Sequence, residues 1–187
     1  MLKIIVTLST LFFASSIYAN SFSLNSTAFN DREKLEPIYT CEGKNISPEL
    51  EWSHVPKKTK SLTLILSDPD APGGIFYHWV LFNIPKTVTT LAENITSLPV
   101  GAQTGKNSWD KTQYSGPCPP KGSSHRYVFS LYALDTVLEL SFATYANPPS
   151  GVIATSNGLP PTGIVVITAL VVVSITETKP LVVWFVT

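Results

Sequence analysis

The chain has 187 residues, and its 13 basic and 13 acidic side chains cancel to no formal net charge. That balance argues against a nucleic-acid binder, which would carry a basic footprint, and the length suits one domain with a sizeable core. The two cysteines, Cys41 and Cys118, belong to no CxxC pair, so zinc-site or thioredoxin-type chemistry has no support.

Residues 1–19 have the parts of a secretory signal peptide. Lys3 supplies the basic start, Ile4 to Ile17 is largely apolar, and Ile17-Tyr18-Ala19 ends in a small residue suited to cleavage. The apolar part is shorter than the roughly 20 residues of a membrane-spanning helix; an uncleaved N-terminal anchor is the alternative. The mature chain is expected to begin near Asn20 or Ser21, to be periplasmic or secreted, and to carry no transmembrane segment. In an oxidising compartment two thiols suggest one disulfide, Cys41–Cys118; two independent buried thiols are the other reading.

The body of the chain, 20–140, reads as β structure. Ser21 to Asn30 is polar with isolated apolar residues and suits an irregular edge strand, and Asp31 to Glu36 is a charged loop ended by Pro37. The stretch from Cys41 to Glu49 is rich in turn formers, and Leu50 to Val55 makes a short strand. Ser61 to Ser67 is apolar on both faces, as expected of a central strand covered on both sides. It delivers the chain to Asp68 and Asp70, with Pro69 and Pro72 stiffening the backbone and Gly73-Gly74 permitting a sharp reversal. The apolar run Tyr77 to Ile84 follows, and the two-residue strand period places His78, Val80, Phe82 and Ile84 on one face. Thr87 to Ser108 is a connection. Gly116 to Gly122, with three prolines, is a stiff extended loop that feeds the strand His125 to Leu134, whose His125, Tyr127, Phe129 and Leu131 point one way.

Two histidines therefore each stand at a strand start beside a stiff polar loop. One histidine on an apolar strand is most often a satisfied core residue; two of them, joined by acids and a tyrosine, suit another task. Imidazoles, a tyrosine hydroxyl and loop N–H groups together fit an anion such as a phosphate group. Asp68 can orient one imidazole through a hydrogen bond, Asp70 fits a role in fixing its own turn, and Arg126, on the opposite face from His125, suits a structural salt bridge.

DPDAP at 68–72, HWVLFNIP at 78–85, GPCPPKGSSHRYVFSLYAL at 116–134 and NISPELEW at 45–52 resemble the phosphatidylethanolamine-binding protein (PEBP) family. Within it the chain is similar to the bacterial YbhB/YbcL branch, often labelled Raf-kinase-inhibitor-like. The likeness runs over roughly residues 22 to 138. It implies a mainly β fold, two packed antiparallel sheets with a few short helices. It also implies a small pocket for phosphate-like anions or phospholipid head groups, no enzymatic activity and no cofactor. Carried over by position, the pocket would use Asp68, His78, His125 and Tyr127, with the loop from Gly116 to Pro120 as a wall and Pro72 and Phe76 at the rim. Phe76 stands where some eukaryotic relatives have tryptophan, and the Gly73-Gly74 connection is shorter than theirs, which leaves that side more open.

The tail, 141–187, departs from the family pattern of a loop leading into pocket-closing helices. Its only charged residues are Glu177 and Lys179, its paired prolines at 148–149 and 160–161 leave no room for a long helix, and Gly163 to Ile175 is an apolar β-branched run. It reads as a divergent end that adds strands, a disordered aggregation-prone extension, or the product of a shifted reading frame. The abrupt change of composition favours the last two.

Other function classes fit less well. A hydrolase would need Ser67 or Ser124 activated by His78 or His125, but no G-x-S-x-G or H-E-x-x-H motif is present. Asp68, His78 and His125 are acceptable metal ligands without a spacing that specifies a site. A secreted modulator or inhibitor of a protein partner, a kinase or a protease, is the alternative that the family's other members suggest.

Overall fold

The computed structural model describes residues 21–138 and 175–186. The signal-peptide reading of 1–19 and most of the Gly163 to Ile175 run lie outside the described residues.

Ten strands are described: β1 (Ser23–Asn25), β2 (Glu33–Lys34), β3 (Leu50–Ser53), β4 (Ser61–Asp68), β5 (Phe76–Pro85), β6 (Thr90–Leu91), β7 (Gln103–Thr104), β8 (Ser124–Leu134), β9 (Ile175–Glu177) and β10 (Leu181–Val186). Among the described residues a single 3-10 turn, Pro37–Tyr39, opens on the proline that is expected to end a charged loop. β1, β3 and β6 form a three-stranded sheet, and the larger sheet runs β2-β10-β8-β4-β5-β7, with β9 paired to the far end of β8. The pairing is antiparallel except between β10 and β2, which run parallel. No helix among the described residues is long and apolar enough to cross a membrane.

The core lies between the two sheets. Leu24, Leu50, Trp52 and Leu91 from the small sheet meet Leu62, Leu64, Leu66, Phe129, Leu131, Val183 and Phe185 from the large one. β4 is covered on both edges by β5 and β8, and its near-continuous apolar sequence fits that central place. Each fully buried leucine there contributes about 2 kcal/mol through removal of apolar surface from water. Of the tail, residues 175–186 supply β9 and β10. Phe185, Val183 and Leu181 stand opposite His125, Tyr127 and Phe129 and are buried. Asp31 fastens the entry to β10: it accepts from Val182 N at 3.1 Å and from Lys179 Nζ at 3.1 Å.

Two irregularities in the β4–β5 ladder change which side chains share a face. Leu62 and Leu64 pair with Ile84 and Leu81, and Leu66 and Ser67 pair with Trp79 and Tyr77, so β5 carries one extra residue at each place. Each bulge reverses the alternation beyond it. At the first, Asn83 has φ 54°, a left-handed conformation that asparagine tolerates better than most residues. The expectation that His78, Val80, Phe82 and Ile84 share one face is therefore corrected. Ile84 joins Trp79 and Leu81 in the main core, whereas Phe82 packs with Leu134 and Leu138 on the other face. Ile84→Val is expected to cost about 1 kcal/mol in a urea titration. A change below the error of the titration would contradict the register.

Candidate functional site

β4 ends where β5 and β8 begin, since both neighbours run antiparallel to it. Asp68, His78, His125 and Tyr127 thus come from three adjacent strands to one end of the sheet, and all four are buried. His78 reaches this place through the second bulge. It is the extra residue between Tyr77 and Trp79, and both it and Trp79 are buried.

Hydrogen bonds fix both imidazoles through Nδ1. His78 Nδ1 donates to the carbonyls of Ser115 and Gly116, at 2.8 and 3.1 Å, and His125 Nδ1 donates to Asp68 Oδ2 at 2.8 Å. Asp68 Oδ1 accepts the Asp70 backbone N–H at 2.9 Å, which also fixes the turn after β4. Tyr127 lies edge-on to His78, with ring centroids 5.2 Å apart. Its hydroxyl is buried and has no partner of good geometry, although Asp68 and the Cys118 N–H are its near neighbours. Burial first, then Asp68, push that hydroxyl's pKa up, so it stays protonated. Burial also holds the His78 imidazole below its usual range, against the opposing pull of the Ser115 carbonyl, Asp68 and the Gly116 carbonyl.

The loop that receives His78 is anchored at several points. Gly116 N donates to Asn45 Oδ1 at 2.7 Å, Tyr114 Oη to Tyr39 O at 2.7 Å, and Cys41 N to Pro117 O at 3.1 Å. Cys41 and Cys118 are joined in a disulfide with their Cα atoms 5.4 Å apart. Gly116 cannot carry a side chain, because a Cβ there would stand 2.2 Å from the Tyr39 carbonyl oxygen. Only a glycine lets the loop lie this close to the segment after the 3-10 turn.

A second loop, unremarked in the sequence beyond being a connection, completes the surround. Asn107 is buried. Its Nδ2 donates to the His78 carbonyl and to Ser115 Oγ, both at 3.1 Å, satisfying the oxygen that the bulge releases from the ladder. Its Oδ1 accepts from the N–H groups of Trp109 and Lys111, at 2.9 and 3.0 Å. Ser108 exchanges two bonds with the Tyr77 backbone. The turn so made sets the Trp109 ring at right angles to His78, 4.9 Å between centroids, and against Phe76 at 4.5 Å. Trp109 is 42% exposed and forms the outer edge of this aromatic group. The signal available in the sequence was Asn-Ser-Trp-Asp, a turn signature with an aromatic inside it.

The chain matches the phosphatidylethanolamine-binding protein family over residues 25–158. It belongs to that family. This PEBP-family chain is 53% identical over 121 residues to a UPF0098 protein of Methanothermobacter thermautotrophicus, an alignment covering 63% of this chain and 80% of the relative. Among solved structures it resembles a PEBP homologue of Chlamydia trachomatis, with a TM-score of 0.59 and 40% identity over 65% of this chain and 80% of that one. It also resembles Escherichia coli YbcL, described as a new member of the mammalian PEBP family, with a TM-score of 0.59 and 41% identity over 62% and 77% of the two chains.

Of the residues singled out from the sequence of this family member, Asp68, His78, His125 and Tyr127 meet. Gly116 touches them through its carbonyl, and Phe76 packs on His78 with centroids 5.5 Å apart. Pro72 is exposed in the turn before β5, and Pro120 is exposed in the loop before β8, where its carbonyl accepts from Ser123 N and Oγ at 3.0 and 2.6 Å. Asp70 differs from expectation. The turn is fixed by Asp68, while Asp70 binds the Arg126 backbone N–H at 2.8 Å and grips its guanidinium. Arg126 holds the Asp70 carboxyl below the usual range. A carboxyl so lowered stabilises the fold above its ordinary pKa and loses that contribution as pH falls. With both partners part-exposed the pair contributes no more than about 1 kcal/mol.

Proposed function

We propose that this is an exported, non-catalytic binding protein whose cluster of Asp68, His78, His125 and Tyr127 holds small phosphate-like anions or phospholipid head groups. The observation that carries the reading is the Tyr127 hydroxyl, fully buried, protonated and without a well-formed hydrogen bond. A donor left unsatisfied in that way costs about 1–3 kcal/mol, a cost that a ligand oxygen removes. The two imidazoles beside it have Nδ1 engaged and Nε2 left over, and Phe76 and Trp109 supply an apolar edge. Such a mixture of few polar groups and aromatic walls suits a small polar head with an organic substituent.

Catalysis fits less well, since among the described residues no hydroxyl or thiol is hydrogen-bonded to either imidazole. Ser67 pairs with Tyr77 on the face away from the cluster. Export is supported by the composition of residues 1–19 and by the Cys41–Cys118 bridge.

Amide NMR tests the placement. Adding phosphoethanolamine should move the signals of Gly116, Cys118 and Tyr127 while those of β1, β3 and β6 stay still. Shifts confined to the small sheet, or none, would refute it.

A further inference from the structure

The hydrogen-bonding capacity of the cluster is fixed before any ligand arrives. A carbonyl oxygen only accepts, so His78 Nδ1, at 2.8 and 3.1 Å from two of them, carries the hydrogen. His125 Nδ1 likewise spends its hydrogen on Asp68. Nε2 is then the one polar atom each ring has left, and neither has a hydrogen-bond partner among the described residues. In a neutral imidazole that nitrogen accepts; it donates only in the imidazolium.

The charge around the cluster points the same way. His78 faces Asp68 from β4, His125 and Tyr127 from β8, and the Ser115 and Gly116 carbonyls and Trp109 from the loops. His125 faces Asp68, His78 and, at longer range, Asp70, while β10 sets Phe185 opposite it. Arg126, a nearby cation, is gripped by Asp70 and lies on the other side of β8 by strand alternation. With neutral rings the cluster therefore offers two acceptors, one tyrosine donor and a buried carboxylate, a set that repels a bare anion.

We propose that the site takes an oxyanion only together with a proton held at Nε2 of His78, so that the bound species is an anion and proton pair. This rests on the anion-binding reading above. The proton comes either from solvent, making an imidazolium that donates to the ligand oxygen, or from the ligand's own hydroxyl, which Nε2 accepts; the count is the same. Burial keeps the free His78 ring neutral near neutral pH, so the proton is gained on binding rather than already present. Selection follows: at alkaline pH a phosphate monoester enters as its singly charged form, and affinity falls as that form, or the imidazolium, disappears.

Calorimetric titration of the full chain with sulfate and with inorganic phosphate, in two buffers of different ionisation heat from about pH 6 to about pH 8.5, tests this across the imidazole range. Sulfate has no proton to bring, so at the alkaline end each ion bound should draw about one proton from the buffer, with affinity falling about tenfold per pH unit. Binding with buffer-independent heat and a flat pH profile would overturn the proposal and leave the anion site standing. No binding of either ion at any pH would remove the site itself. The ring 15N signal of His78 Nε2 locates the proton: a move to the imidazolium position on adding sulfate supports the assignment, and an unmoved signal overturns it.

Discussion

Replacing Cys41 and Cys118 together by serine is expected to lower the unfolding free energy by about 4.5 kcal/mol, the loop-entropy value for a closure of this length. The bridge joins residues 77 apart in sequence, so it removes a large set of conformations from the unfolded chain. The native loop should move little without it. Gly116 N, Cys41 N and the Tyr114 hydroxyl still bind Asn45, Pro117 and Tyr39 across the same seam. Urea titration should show an earlier midpoint, and the near-UV spectrum of the folded variant should match the parent. A loss below about 1 kcal/mol would contradict this account, as would two reactive thiols per chain in unfolded, non-reduced protein.

Asp68→Ala is expected to cost about 3 kcal/mol or more, because removing one partner of a buried, hydrogen-bonded pair strands the other. Asp68 is 4% exposed. Its loss leaves the His125 Nδ1–H inside the protein without an acceptor and frees the Asp70 N–H that holds the turn after β4. Asp68→Asn keeps an acceptor oxygen in place and should cost clearly less. Stability of Asp68→Ala within about 0.5 kcal/mol of the parent, the range of ordinary surface substitutions, would contradict the pairing.

The parts of the fold legible in the sequence are those set by short-range chemistry. The apolar strand ending in Asp68 and the stiff loop feeding His125 declare themselves through proline, glycine and β-branched runs, and their neighbours follow from the tight Gly73-Gly74 connection. The face of His78 was not legible, because a strand period assumes a regular ladder and β5 carries two bulges. Only the left-handed Asn83 hints at one of them. Trp109 and Asn107 are not legible because their role depends on a docking of the loop onto the bulge that no local pattern announces. The role of Asp70 is hidden for the same reason: its partner, Arg126, lies 56 residues away. The placement of β10 beside β8 is likewise a long-range pairing, between Leu181–Val186 and Ser124–Phe129, and an uncharged β-branched segment is compatible with many such partners.

The central claim is that the end of β4, β5 and β8 is an anion site. Calorimetric titration of phosphoethanolamine into the full chain and into His78→Ala tests it most directly. The account predicts binding to the parent and at least about tenfold weaker binding to the variant, the scale of one hydrogen bond to a charged group. Equal affinity in the two, or no binding to a folded parent, would contradict it.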